Sequence, residues 1–227
     1  TQIPILFSAV SDPITDGIVA DMNAPGGKTT GTSDALNTKM VIDLMLAADP
    51  DIQKVGLLYS KSESASTKPV QEAKEYLSSL NIAVEEKTGT NTNEVSSAVD
   101  ALVAAKVDAI FTPTDNTVQS AELAIFEKLQ DAKIPHYGGA DSFALNGAFC
   151  GYGVDYVQLG QETAQMVADL LVNGADPAST PVRIMTAENA LINTETCQTI
   201  GMDLDRIKSA FSALGINVIE TTTPQNF

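Results

Sequence analysis

The sequence predicts an α/β protein of two lobes, each a parallel sheet covered by helices. Through the middle of the chain, short β-branched runs alternate with segments of helical period, and short connections between such units build a right-handed parallel sheet. One strand-like run stands alone at the front, and a second group of elements returns after residue 148. At 227 residues and 44% hydrophobic, the chain can bury one large core or two modest ones.

The elements follow in order. Residues 3–10 (IPILFSAV) read as a buried strand and residues 14–22 as an amphipathic helix. Residues 54–60, 82–87, 107–113 and 134–139 repeat the strand pattern. Helices are predicted over 37–48, 68–80, 93–105 and 117–132; in the third, Val95, Ala98, Val99, Leu102 and Val103 fall on one face. Residues 54–139 therefore form one complete α/β lobe. The returning group comprises AFCGYGVDY, a helix over 157–171, a strand over 182–186, a helix over 205–214 and the run INVIE. A chain that leaves one lobe and comes back predicts residues 1–32 and 148–227 as a first lobe and 33–147 as a second, joined by crossing segments.

Composition excludes several functions. The formal charge of −16 opposes binding to DNA or to an anionic bilayer. No apolar run approaches the roughly twenty residues of a membrane span. Gly26-Gly27-Lys28-Thr29 echoes the end of a phosphate-binding P-loop, but Met22 stands where that motif needs its first glycine. The single histidine, His136, lies inside a predicted strand and reads as a core or hinge residue, and one His with two distant Cys makes no ordinary zinc site. No serine sits in a G-x-S-x-G elbow. Acid pairs for sugar chemistry lack aromatic platforms, since the chain has no Trp and is 5% aromatic. Binding without catalysis and without a cofactor is the expectation. Cys150 and Cys197 are compatible with one disulfide or with two buried thiols.

In an open parallel sheet, ligands sit beyond the carboxyl ends of the strands. Those ends lead here into SAVSDP, SKSESAS, TPTDNT and ADSF, each rich in hydroxyls and carrying one acid: Asp12, Glu63, Asp115 and Asp141. Any one of these loops is explained by helix capping, for which Ser, Thr, Asp and Asn are the ordinary residues. Four at one edge, with a further hydroxyl-rich turn over 29–34, predict a polar cleft. The candidate ligand-binding residues are Ser8, Asp12, Thr32, Ser33, Asp34, Ser60, Glu63, Thr114, Asp115, Asn116 and Asp141.

The segments IPILFSAVSDPITDGIVADMNAPGGKTTGTSD, VGLLYSKSESAS, IFTPTDNTVQSA, IPHYGGADSFALNGA and GYGVDYVQLGQETAQMVADLLVNG resemble, in order and spacing, the substrate-binding proteins of ABC transporters of the tryptophan/tyrosine type. The resemblance covers nearly the whole chain. It implies a type I periplasmic-binding-protein fold with a ligand closed between two lobes, an ABC permease as partner, and export as a periplasmic protein or cell-surface lipoprotein. It implies that GKTTGTSD is the first crossing region, with Thr32, Ser33 and Asp34 meeting the ligand. Family members usually carry strand and helix units before the equivalent of IPILFSAV, so the first lobe is expected to lack its N-terminal units. The start at Thr1 with no basic leader is in turn read as lying inside a longer gene product.

An amino acid needs donors for its carboxylate and an acid for its ammonium; helix N-termini and hydroxyls supply the first. Asp115 is the preferred ammonium partner, with Asp141, Glu63 and Asp34 as alternatives. The resemblance favours an aromatic amino acid, with Tyr59, Phe143 or Tyr152 as walls or as plain core. Branched-chain amino acids and nucleoside-like solutes stay open. A ligand-sensing domain of a regulator or receptor is the competing reading.

Overall fold

The computed structural model describes residues 3–223. In chain order the elements begin with strands β1 (Ile5–Phe7) and β2 (Thr29–Ser33), helix α1 (Thr38–Ala48), β3 (Lys54–Tyr59), α2 (Ser64–Ser79), β4 (Ala83–Thr88) and α3 (Thr92–Ala104). They continue with β5 (Ala109–Thr112), α4 (Asn116–Ala132), β6 (His136–Gly138), α5 (Asp141–Leu145), β7 (Cys150–Tyr152) and α6 (Tyr156–Leu171). The last are β8 (Arg183–Ile184), β9 (Asn189–Asn193), α7 (Thr194–Ile200), α8 (Leu204–Ala213) and β10 (Asn217–Thr221).

The chain divides into two compact units. The larger unit comprises Leu36–Gly153 and Glu188–Phe227. Its seven-stranded sheet has the order β10-β9-β7-β6-β5-β3-β4, parallel except where β7 meets β9. Here β4 lies to one side of β3 and β5 to the other, so right-handed crossovers send α2 and α3 to opposite faces. α3 packs on α4, and α1 packs on α2 and α8. The buried side chains of α3 are Val95, Ala98, Val99 and Leu102, the face its periodicity predicts, and they pack with Val118, Ala121, Ile125 and Leu129 of α4. The parallel sheet expected over 54–139 is thus present as β6-β5-β3-β4.

The smaller unit comprises Thr1–Ala35 and Val154–Ala187. It holds a three-stranded parallel sheet, β1-β2-β8, against which α6 packs. TTGTS, read from the sequence as a hydroxyl-rich turn, is the central strand of that sheet. Its Thr30, Thr32 and Ser33 are fully buried because their hydroxyls are satisfied inside the unit; Thr30 donates to the Thr180 carbonyl at 2.8 Å. Gly31 is required by close approach, since a Cβ there would lie 2.1 Å from the Phe7 carbonyl oxygen.

Three expectations are corrected. Residues 14–22 form turns rather than a helix: Gly17 N–H bonds to Ile14 O, Ile18 N–H to Pro13 O, and Gly17 takes φ +70°, which breaks the helical path. α2 starts at Ser64, inside the stretch read as a loop. The lobe boundaries also differ from 1–32, 33–147 and 148–227. Ser33 and Asp34 belong to the smaller unit, and only Val154–Ala187 returns to it. The final segment instead extends the larger sheet, because β9 pairs with β7 and carries β10, while α8 buries Ile207 and Phe211 and packs on α1.

Candidate ligand-binding site

In the smaller unit, β1 and β2 run parallel, so their carboxyl ends share an edge. The chain leaving β1 stays tied to β2: Val10 N–H donates to the Thr32 carbonyl at 3.2 Å. Thr163 of α6 donates its hydroxyl to the Leu159 carbonyl at 2.9 Å. It therefore accepts from Thr32 at 2.8 Å and from Ser8 at 3.1 Å. Ser33 donates to the Ser11 carbonyl at 3.4 Å. Asp12 accepts the N–H and hydroxyl of Thr15 at 3.1 and 2.9 Å. Asp34 follows β2 directly; it accepts Ser11 Oγ at 2.8 Å on one oxygen and Tyr156 OH at 2.9 Å on the other.

In the larger unit, parallel β3, β5 and β6 bring Ser60, Glu63, Thr114, Asp115, Asn116 and Asp141 to the carboxyl edge of the sheet. The strand order reverses at β3 and β5, the place where such sheets open a crevice. Asp115 fills it. One carboxylate oxygen accepts Ser60 N–H at 2.7 Å and Ser66 Oγ at 2.6 Å, and the other caps α4 through Val118 N–H at 2.9 Å. With three internal donors and 1% exposure, Asp115 caps α4 and ties the ends of β3 and β5 together. Glu63 accepts the Thr117 hydroxyl at 3.1 Å and the Asn116 amide at 3.4 Å. Thr114 donates to the Gly139 carbonyl at 3.2 Å, Ser60 Oγ pairs with Ser62 Oγ at 2.7 Å, and Asp141 opens α5.

The three aromatic candidates for ligand walls are core. Tyr59 is buried and donates to Glu86 at 2.6 Å; Phe143 meets His136 edge-on; Tyr152 is 2% exposed. His136 is likewise buried between Glu122 (Nδ1 to Oε1, 3.1 Å) and the Thr112 hydroxyl (Nε2 to Oγ1, 2.8 Å). Both cysteines are free and buried. Among the described residues, no three His, Cys, Asp or Glu side chains gather as a metal site.

Sequence reasoning missed Ser11, Tyr156 and Thr163. Ser11 had a signal, as a hydroxyl in the SAVSDP loop. Tyr156 had none, because its partner Asp34 is 122 positions away. Each unit by itself presents hydroxyls and carboxylates at the carboxyl edge of its sheet, groups that suit hydrogen bonding of a small polar molecule.

The model of a family described as ABC transporter substrate-binding protein matches residues 1–211. A tyrosine-binding protein of Clostridioides difficile is 30% identical over 201 residues, covering 88% of this chain; the chain spans 58% of that relative's length. The crystal structure of an ABC domain in complex with L-Trp from Streptococcus pneumoniae is 32% identical, with a TM-score of 0.85, over 96% of this chain and 72% of that one. A periplasmic-binding ribose operon repressor from Lactobacillus acidophilus shares the fold alone, at 14% identity and a TM-score of 0.54 over 82% of this chain and 68% of that one.

Proposed function

The chain belongs to the ABC transporter substrate-binding protein family, and on that premise we propose that it captures an aromatic amino acid outside the cytoplasm and delivers it to an ABC permease. The observation that carries the reading is the likeness, over almost the whole chain, to a domain solved with L-Trp bound. A relative whose name declares tyrosine binding supports the same ligand class.

The chemistry at the two carboxyl edges agrees. An amino acid presents a carboxylate, an ammonium and a side chain. Hydroxyls near helix N-termini suit the first, and a partly satisfied carboxylate suits the second. The candidate contacts are Ser8, Thr32, Ser33 and Asp34 in the smaller unit, and Ser60, Glu63, Thr114, Asn116 and Asp141 in the larger. The protein's strongly negative charge favours neutral or cationic solutes over anionic ones. No described helix is long and apolar enough to cross a membrane. An export signal or a lipid anchor, as in an extracytoplasmic carrier, completes the proposal.

Calorimetric titration of tryptophan, tyrosine, phenylalanine and leucine into the protein tests it. Saturable one-to-one binding of an aromatic amino acid, with leucine weaker, is the expected result. Failure of all three aromatic amino acids to bind overturns the assignment.

A further inference from the structure

Asp34 differs from Asp115, the other buried acid at the carboxyl edges, in how many donors meet its charge. Asp115 has three internal donors. Asp34 is only 6% exposed, and its two recorded donors are neutral hydroxyls, one on each oxygen. A carboxylate has about four lone-pair sites, so each oxygen retains capacity for a further donor. Neutral hydroxyls do not balance a charge withdrawn from water; a cationic donor does.

The two hydroxyls also fix the direction in which that capacity points. Ser11 follows β1, and Tyr156 is the first residue of α6, immediately after the Asp155 cap. The carboxylate is thus held, one oxygen each, by the segment after β1 and by the start of α6. We infer that Asp34 receives the ammonium of the bound amino acid and that Tyr156 is a positioning residue, whose hydroxyl holds the Asp34 carboxylate so that one lone pair is presented to that ammonium. This inference rests on the amino-acid reading above and assigns the polar recognition within it.

The test pairs each aromatic amino acid with the acid that lacks only its ammonium: tryptophan with 3-(indol-3-yl)propionate, tyrosine with 3-(4-hydroxyphenyl)propionate, phenylalanine with 3-phenylpropionate. All six are titrated into the wild-type protein, Asp34→Asn, Tyr156→Phe and Ser11→Ala. The wild type is expected to prefer the amino acid by about 30-fold or more, and Asp34→Asn to erase that preference. Tyr156→Phe is expected to weaken the amino acid about 10-fold and to leave the des-amino acid unchanged. Ser11→Ala gives the same pattern and carries the test should Tyr156→Phe fail to fold by thermal unfolding. Equal weakening of both partners of a pair by Tyr156→Phe and Ser11→Ala overturns the positioning role. A preference that survives Asp34→Asn overturns the ammonium assignment while leaving the amino-acid reading intact. No binding of any amino acid to the wild type overturns that reading and the inference with it.

Discussion

The Asp115 carboxylate accepts the backbone N–H of Ser60 at 2.7 Å, joining the ends of the two strands at which the larger sheet changes direction. The same oxygen takes Ser66 Oγ at 2.6 Å, so one side chain ties the ends of β3 and β5 to the first turn of α2.

Asp115→Ala leaves Ser60 N–H, Ser66 Oγ and Val118 N–H without their acceptor. A simple N-cap loss costs about 1 kcal/mol. Orphaning buried donors costs about 1–3 kcal/mol each before relaxation, so the expected total is roughly 3 kcal/mol. Urea unfolding measures it; a loss under about 1 kcal/mol shows that the three bonds are not held in solution.

Glu122 and His136 form a buried pair, and Glu122 Oε2 has no hydrogen-bond partner among the described residues. Removing one member strands the other, whereas replacing both with apolar groups removes the polar cost altogether. Glu122→Leu and His136→Phe should each lower stability by about 2 kcal/mol or more, and the double variant by less than the sum. A double-mutant cycle on urea midpoints with strictly additive losses would sink this account.

Burial, and then the hydrogen bond to Glu86, push the Tyr59 phenol from 10.0 up to about 12. The neutral phenol is favoured in the folded state, so its contribution is fully present below about pH 10 and is lost as the pH rises toward 12. Stability should fall over that window, and less so in Tyr59→Phe. Identical declines in the two proteins, followed by urea unfolding at stepped pH, would assign the alkaline loss to other groups.

Cys150 lies in β7 and Cys197 in α7, and burial raises both thiols above the usual range. The protected thiols are expected to react slowly with a disulfide reagent at pH 8 in the folded protein, because the thiolate is the nucleophile. Unfolding without reductant should release two thiols per chain. Zero thiols in that assay would instead establish a disulfide.

Periodicity and composition were sufficient wherever the physics is local or one-dimensional. The apolar stripes of α3 and α4 and the strand runs of β3 and β5 are written in consecutive residues, and the structure places them as expected. The negative charge was equally readable. Tertiary structure decided the rest. TTGTS has no apolar run to announce a strand; it becomes the centre of a sheet by pairing with β1 on one side and β8 on the other, while Thr180 and Thr163 accept its hydroxyl protons. Residues 189–221 join the larger unit because β9 finds β7 as a partner, a choice made by pairing between distant segments. Asp115 and Asp34 are both acids just beyond strand ends, yet one is enclosed by three donors of its own unit and the other by two hydroxyls. That difference depends on which side chains the folded chain brings within hydrogen-bond range, and distances along the sequence carry no record of it.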